Sequence, residues 1–74
     1  MNARALARAL GGEVAGPTSV RAPGPGRRPS DRSMIVHIDA HAPNAIRVQS
    51  TAGDDPKTCE QLVVAALGSQ GELL

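Results

Sequence analysis

The residues of this chain best suited to chemistry by type and spacing are three arginines in one short segment, GPGRRPSDR at Gly24–Arg32. Arg27, Arg28 and Arg32 stand among glycines whose N–H groups are open to a ligand. Guanidinium forks beside free backbone donors suit a phosphate or a carboxylate. The segment has neither Walker nor dinucleotide spacing, motifs that need a strand before and a helix after. The competing reading is a solvated loop in which Asp31 neutralises a neighbouring arginine. Arg21 and Arg47 extend the set of candidate partner-binding cations. Asp54 and Asp55 form a candidate acidic contact, weighed against a plain role in starting a helix.

His37, Asp39 and His41 recur at every second residue and would share one face of a strand, a spacing compatible with metal ligands. Zinc needs three or four converging donors, and Cys59 is the only thiol, so no metal site is expected. Cys59 falls on an apolar helical stripe and reads as a small buried hydrophobe. No group is placed to orient a histidine base for a Cys–His nucleophile. The sequence therefore points away from an enzyme, with no catalytic residues and no cofactor.

Composition narrows the class further. Leu, Ile and Val account for fifteen of 74 residues and Phe, Tyr and Trp are absent. That is close to the roughly 20% level below which disorder sets in, but the net charge is only +1. One domain with a thin aliphatic core follows. Residues 1–33 carry six arginines against Glu13 and Asp31, a balance of +4, whereas residues 34–74 carry two cations against five acids, a balance of −3. Such polarity presents a basic end to phosphates or acidic proteins, or draws the two halves together. The single cysteine suits a reducing, cytoplasmic setting. No apolar run approaches the roughly 20 residues of a membrane helix, and the arginine-bearing N-terminus reads as an ordinary first helix rather than a targeting segment.

Local patterns place these residues on elements. Ala3, Leu6, Ala7 and Leu10 form one helical stripe, with Asn2 as cap and Gly11-Gly12 as stop. Glu13–Ala15 and Ser19–Ala22 read as a weak hairpin or edge strand with Val14 and Val20 facing the core, followed by a Pro/Gly-rich basic loop at 23–32. Met34, Val36 and Ile38 alternate with Ile35, His37 and Asp39, and Ile46 and Val48 alternate with Arg47 and Gln49. Pro43-Asn44 marks the turn between these strands. Asp55-Pro56 starts a second helix whose Cys59, Leu62, Val63, Ala66 and Leu67 share a stripe, with Gly68 as its end and 69–74 as a loose tail. The fold class is thus α+β: a small antiparallel sheet of three to four strands, with an N-terminal and a C-terminal helix packed on one face. Residues 1–68 make one domain. Leu6, Leu10, Val36, Ile38, Ile46, Val48, Leu62, Val63 and Leu67 are its expected core.

In order and spacing, LARALGGEV at Leu6–Val14, APGPG at Ala22–Gly26, DRS at Asp31–Ser33 and AGDD…C at Ala52–Cys59 resemble a known module. It is the N-terminal domain of toprim-type, primase-like replication proteins of bacterial plasmids and prophages. That module stands where many primases carry a zinc ribbon, so the resemblance implies nucleic-acid-linked binding without catalysis. This chain departs from the family pattern at Arg27, where a histidine is usual, and at Ile46, Thr51 and Pro56, where aromatics are usual. Those losses remove stacking platforms for single strands. With its own initiating Met and no toprim domain, the expected function is a phage- or mobile-element-encoded inhibitor of the anti-CRISPR type. It would bind and block a protein of a host nucleic-acid-handling machine, as a monomer or small homo-oligomer. The alternative is a stand-alone accessory nucleic-acid-binding module with weak DNA contact.

Overall fold

Asn2 opens the first element by accepting a hydrogen bond from Ala5 N–H at 2.8 Å, which satisfies one free donor of helix α1 (Ala3–Leu10). In the computed structural model, which describes residues 2–70, the chain continues through β1 (Glu13–Gly16), β2 (Ser19–Ala22), β3 (Met34–Ile38), a 3₁₀ turn (Pro43–Ala45), β4 (Ile46–Ser50) and α2 (Pro56–Gln70). The expected α+β fold is the observed one. The four strands lie in sequence order as an antiparallel meander. Helix α1 packs on β1 and β2, and α2 packs on β4 and against α1. The sheet therefore has one covered face and one open face.

Helix α1 ends in a Schellman closure. Gly11 takes the left-handed conformation (φ 68°), its N–H donates to Arg8 O, and Gly12 N–H donates to Ala7 O at 2.8 Å. At the other end of the chain, Asp55 Oδ2 accepts from Thr58 N–H at 3.0 Å and Pro56 takes the first helical position. Both helix starts are thus capped locally.

The core comprises Ala3, Leu6, Ala7, Val20, Ala22, Met34, Val36, Ile46, Cys59, Val63 and Leu67. Leu10, Ile38, Val48 and Leu62 pack around it. All nine expected core residues belong to this set. The small residues Ala3, Ala7 and Ala22 were not in that expectation, and they let α1 approach the sheet closely.

Three local expectations are corrected. Val14 lies opposite buried Val20 but is 51% exposed. It sits on the edge strand, where the pairing slips between Val14 and Gly16, and only a shallow hollow with Asn2, Ala3 and Arg4 adjoins it. Gly68 does not stop α2, which continues to Gln70, because a glycine in helical geometry costs only about 1 kcal/mol relative to alanine. The expected tail beyond Gln70 lies outside the described residues. Finally, β3 ends at Ile38, and the chain turns through Ala40 and His41, so His37, Asp39 and His41 do not share a strand. Among the described residues, no helix is long and apolar enough to cross a membrane.

Candidate functional site

The basic loop is held by one acid of its own, Asp31, and by two from outside it, Asp54 and Glu13. Asp31 Oδ2 accepts from Ser33 Oγ at 2.6 Å, from Gly24 N–H at 3.1 Å and from Ser33 N–H at 3.2 Å, which pins both ends of the loop to one carboxylate. Arg27 grips Asp54 through two parallel bonds, Nε to Oδ2 at 2.9 Å and Nη2 to Oδ1 at 3.0 Å. The paired side chains keep 36% and 21% of their exposure. Asp54 also accepts from Ser50 Oγ at 3.3 Å. Arg32 donates to Glu13 Oε1 at 2.9 Å and to the carbonyls of Pro29 and Asp31 at 2.8 Å each. Two of the three loop arginines are thereby engaged within the fold; Arg28, exposed as Arg27 is, makes no side-chain hydrogen bond or ion pair among the described residues. The Arg27–Asp54 clasp joins the basic half of the sequence to its acidic half. Asp54 belongs to that clasp, and the cap is Asp55.

These contacts set a pH dependence. Hydrogen bonds from Ser33 and from Gly24 hold the Asp31 carboxyl below the ordinary carboxylate range. The Arg27 fork does the same for Asp54 and is itself pushed up by that partner. A folded-state pKa below the unfolded one contributes stability that is present above the unfolded value, about 3.9 for aspartate, and is lost as pH falls through the folded value. Thermal melts should therefore be flat from pH 7 to about 5 and decline below about pH 4. Asp54→Asn should reduce that acid decline, and an unchanged acid limb in the variant would show that the clasp is not coupled to folding.

On the open face of the sheet, register brings together residues from three strands. Ser19 pairs with His37 and His37 with Arg47, while Arg21 pairs with Ile35 and Ile35 with Gln49. Ser19 Oγ and His37 Nδ1 are hydrogen-bonded at 3.0 Å, a cross-strand tie that orients the imidazole. Arg47 is 72% exposed, with Nη1 3.9 Å from Asp39 Oδ2. A shallow hollow over this end of the face is lined by His37, Asp39, Arg47 and Gln49. The result is a flat, hydrogen-bonding surface with Arg21 and Arg47 projecting from it around half-buried Ile35.

The sequence marked Arg21 and Arg47 as cations but did not join them to Ser19, His37 and Gln49. Alternation within each strand gives the faces. Only the β2–β3–β4 register places the residues side by side. As for metal binding, Asp39 Oδ1 accepts from His41 N–H at 2.9 Å, closing a local turn, and His37 is turned to Ser19. Among the described residues, no three His, Cys, Asp or Glu side chains converge as a metal site would require. Burial raises the Cys59 pKa, with the charges of Asp54 and Asp55 adding to the effect, so its thiol stays protonated and unreactive. Comparisons with protein-family models, with curated proteins and with solved structures each return no match to this chain.

Proposed function

We propose that this chain is a non-enzymatic binding protein that lays the open face of its sheet on an acidic protein surface and blocks it. The observation that carries this reading is the placement of Arg21 and Arg47 on one uncovered face, with Ser19, His37 and Gln49 beside them as hydrogen-bonding groups. Arginine is the charged side chain most often found among binding anchors, because its planar fork matches a carboxylate. The chain has no aromatic residue, and base stacking worth about 1–3 kcal/mol per base is the usual source of single-strand affinity. A protein occupant accordingly fits the face better than a nucleic acid does. The resemblance to primase-like modules directs the search to nucleic-acid-handling machines, and an inhibitor of the anti-CRISPR type is the form this function takes.

The test uses Arg21→Ala/Arg47→Ala, both exposed positions whose loss leaves the core intact. The parent protein should bind single- and double-stranded oligonucleotides no more tightly than about 10⁻⁴–10⁻⁶ M at physiological salt. It should inhibit a reconstituted nucleic-acid-processing complex, and the double variant should lose at least 2 kcal/mol of that affinity, about 30-fold. Tight DNA binding that collapses with added salt would favour the nucleic-acid-binding module instead. Inhibition undiminished in the variant would remove the sheet face from the reading and return attention to Arg28 in the loop.

A further inference from the structure

The sheet has two free edges, and they are built differently. At β1 the pairing slips between Val14 and Gly16, and Pro17 follows immediately, so that edge is short and irregular. Bulges and prolines of this kind blunt an edge against strand addition. Strand β4, in contrast, pairs with β3 at all five positions without a slip. It contains no proline and no lysine, and its covered-face residues Ile46, Val48 and Ser50 are uncharged.

The hydrogen bonds that flank the β3–β4 ladder fix which backbone groups point outward. Asp39 N–H donates to Ala45 O at 2.9 Å, and Thr51 N–H donates to Ser33 O at 2.8 Å. In an antiparallel ladder the direction alternates. Arg47 and Gln49 therefore bond to β3, and the N–H and C=O groups of Ile46, Val48 and Ser50 face away from it. Ile46 N–H closes the 3₁₀ turn at Pro43; among the described residues, no hydrogen bond engages the outward C=O of Ile46 or the outward N–H and C=O of Val48 and Ser50.

We infer that β4 is the seam of a homodimer, in which a second copy of this chain adds its own β4 antiparallel and the two four-stranded sheets become continuous. The strand is self-complementary about Val48. With Val48 opposite Val48 of the second copy, Ile46 faces Ser50, and Arg47 faces Gln49 on the open side. The outward N–H and C=O of Val48 then pair with those of the second copy's Val48, and Ser50 N–H donates to the Ile46 C=O opposite it. Sliding the strands by two residues in one direction sets Arg47 against Arg47, and like charges directly opposite are destabilising. Sliding them the other way leaves Ile46 unpaired. Val48, half-buried in one chain, is covered by its counterpart. A five-residue seam is smaller than the roughly 1,200–2,000 Å² of a standard stable interface, so the association is weak and concentration-dependent. The pairing joins two open faces into one, and it stands whether or not that face binds an acidic protein.

Sedimentation velocity of the full chain across micromolar to millimolar concentrations reads the equilibrium directly. Gln49 is exposed, so charge can be introduced there without touching the core. Gln49→Arg opposes Arg47 across the seam and should weaken dimerisation at least 10-fold, whereas Gln49→Glu pairs with Arg47 and should tighten it several-fold. In the unsubstituted protein, the Val48 and Ser50 amides should gain protection from hydrogen exchange as concentration rises. A chain that stays monomeric throughout would overturn the inference. So would a dimer indifferent to both substitutions, or one whose Val48 and Ser50 amides exchange at the monomer's rate.

Discussion

Replacing Leu6 with alanine is expected to lower the unfolding free energy by about 2–5 kcal/mol. Leu6 is fully buried, on the helix that touches β1, β2 and α2. At about 0.05–0.15 kcal/mol per residue, a domain of 74 residues has roughly 4–11 kcal/mol of stability. Its core is aliphatic and lined with alanines, which places it toward the lower end. The substitution should thus remove half or more of the stability, and each 1 kcal/mol should lower Tm by about 4–8 °C in a domain this small. Leu62→Ala should cost less, because Leu62 is half-buried beside the core rather than within it. Urea melts followed by circular dichroism would compare the two. A Leu6→Ala protein that melts with the parent would show that α1 is not docked by this residue.

Sequence patterns were most informative where the physics is local. The stripe of Ala3, Leu6, Ala7 and Leu10, the Asn2 cap and the Gly11 stop each depend on residues within a few positions, and each is found as expected. The alternation in β3 and β4 likewise yields the covered and open faces. Val14 alternates as well as Val20 does, and an edge strand is among the readings this segment supports, yet the pattern cannot reveal the slipped register that leaves Val14 exposed. Gly68 reads as a stop because glycine often ends helices, but the helix tolerates it and continues.

The candidate site divides along the same line. Residue types alone identified the arginines. Their partners depend on contacts between distant segments, and Arg27 meets an acid 27 positions away. Asp54 was legible as part of an acidic helix start, and only tertiary structure turns it from the helix toward Arg27 while Asp55 takes the cap. The loop that looked like a free basic cluster is consequently a tied one. The sheet carries two more exposed cations, Arg21 opposite Glu13 and Arg47 beside Asp39, on separate strands with Ile35 and His37 of β3 between them.

Gly12→Ala is expected to be as damaging as the loss of a core leucine, for the opposite reason. The Gly11-Gly12 pair reads in sequence as a helix stop with backbone freedom to spare, and Gly11 alone uses that freedom, at φ 68°. A Cβ on Gly11 would meet nothing within 4 Å, so Gly11→Ala carries only the left-handed penalty of about 1–2 kcal/mol. A Cβ on Gly12 would stand 2.8 Å from Ala22 Cβ and 2.9 Å from Ala22 Cα, and would collide with Arg21 O. Those are backbone and near-backbone atoms of β2, which is paired with β1 on one side and β3 on the other. The strand cannot yield without breaking its ladders, so α1 would have to lift from the sheet and part from the Ala22 wall beneath it. Overpacking of this sort costs about 1–3 kcal/mol, and more where neither side can relax. The expected result is a larger fall in Tm for Gly12→Ala than for Gly11→Ala, with loss of protection in the Ala22 and Val36 amides. Equal melting of the two variants would mean that close approach at Gly12 is not what seats the first helix.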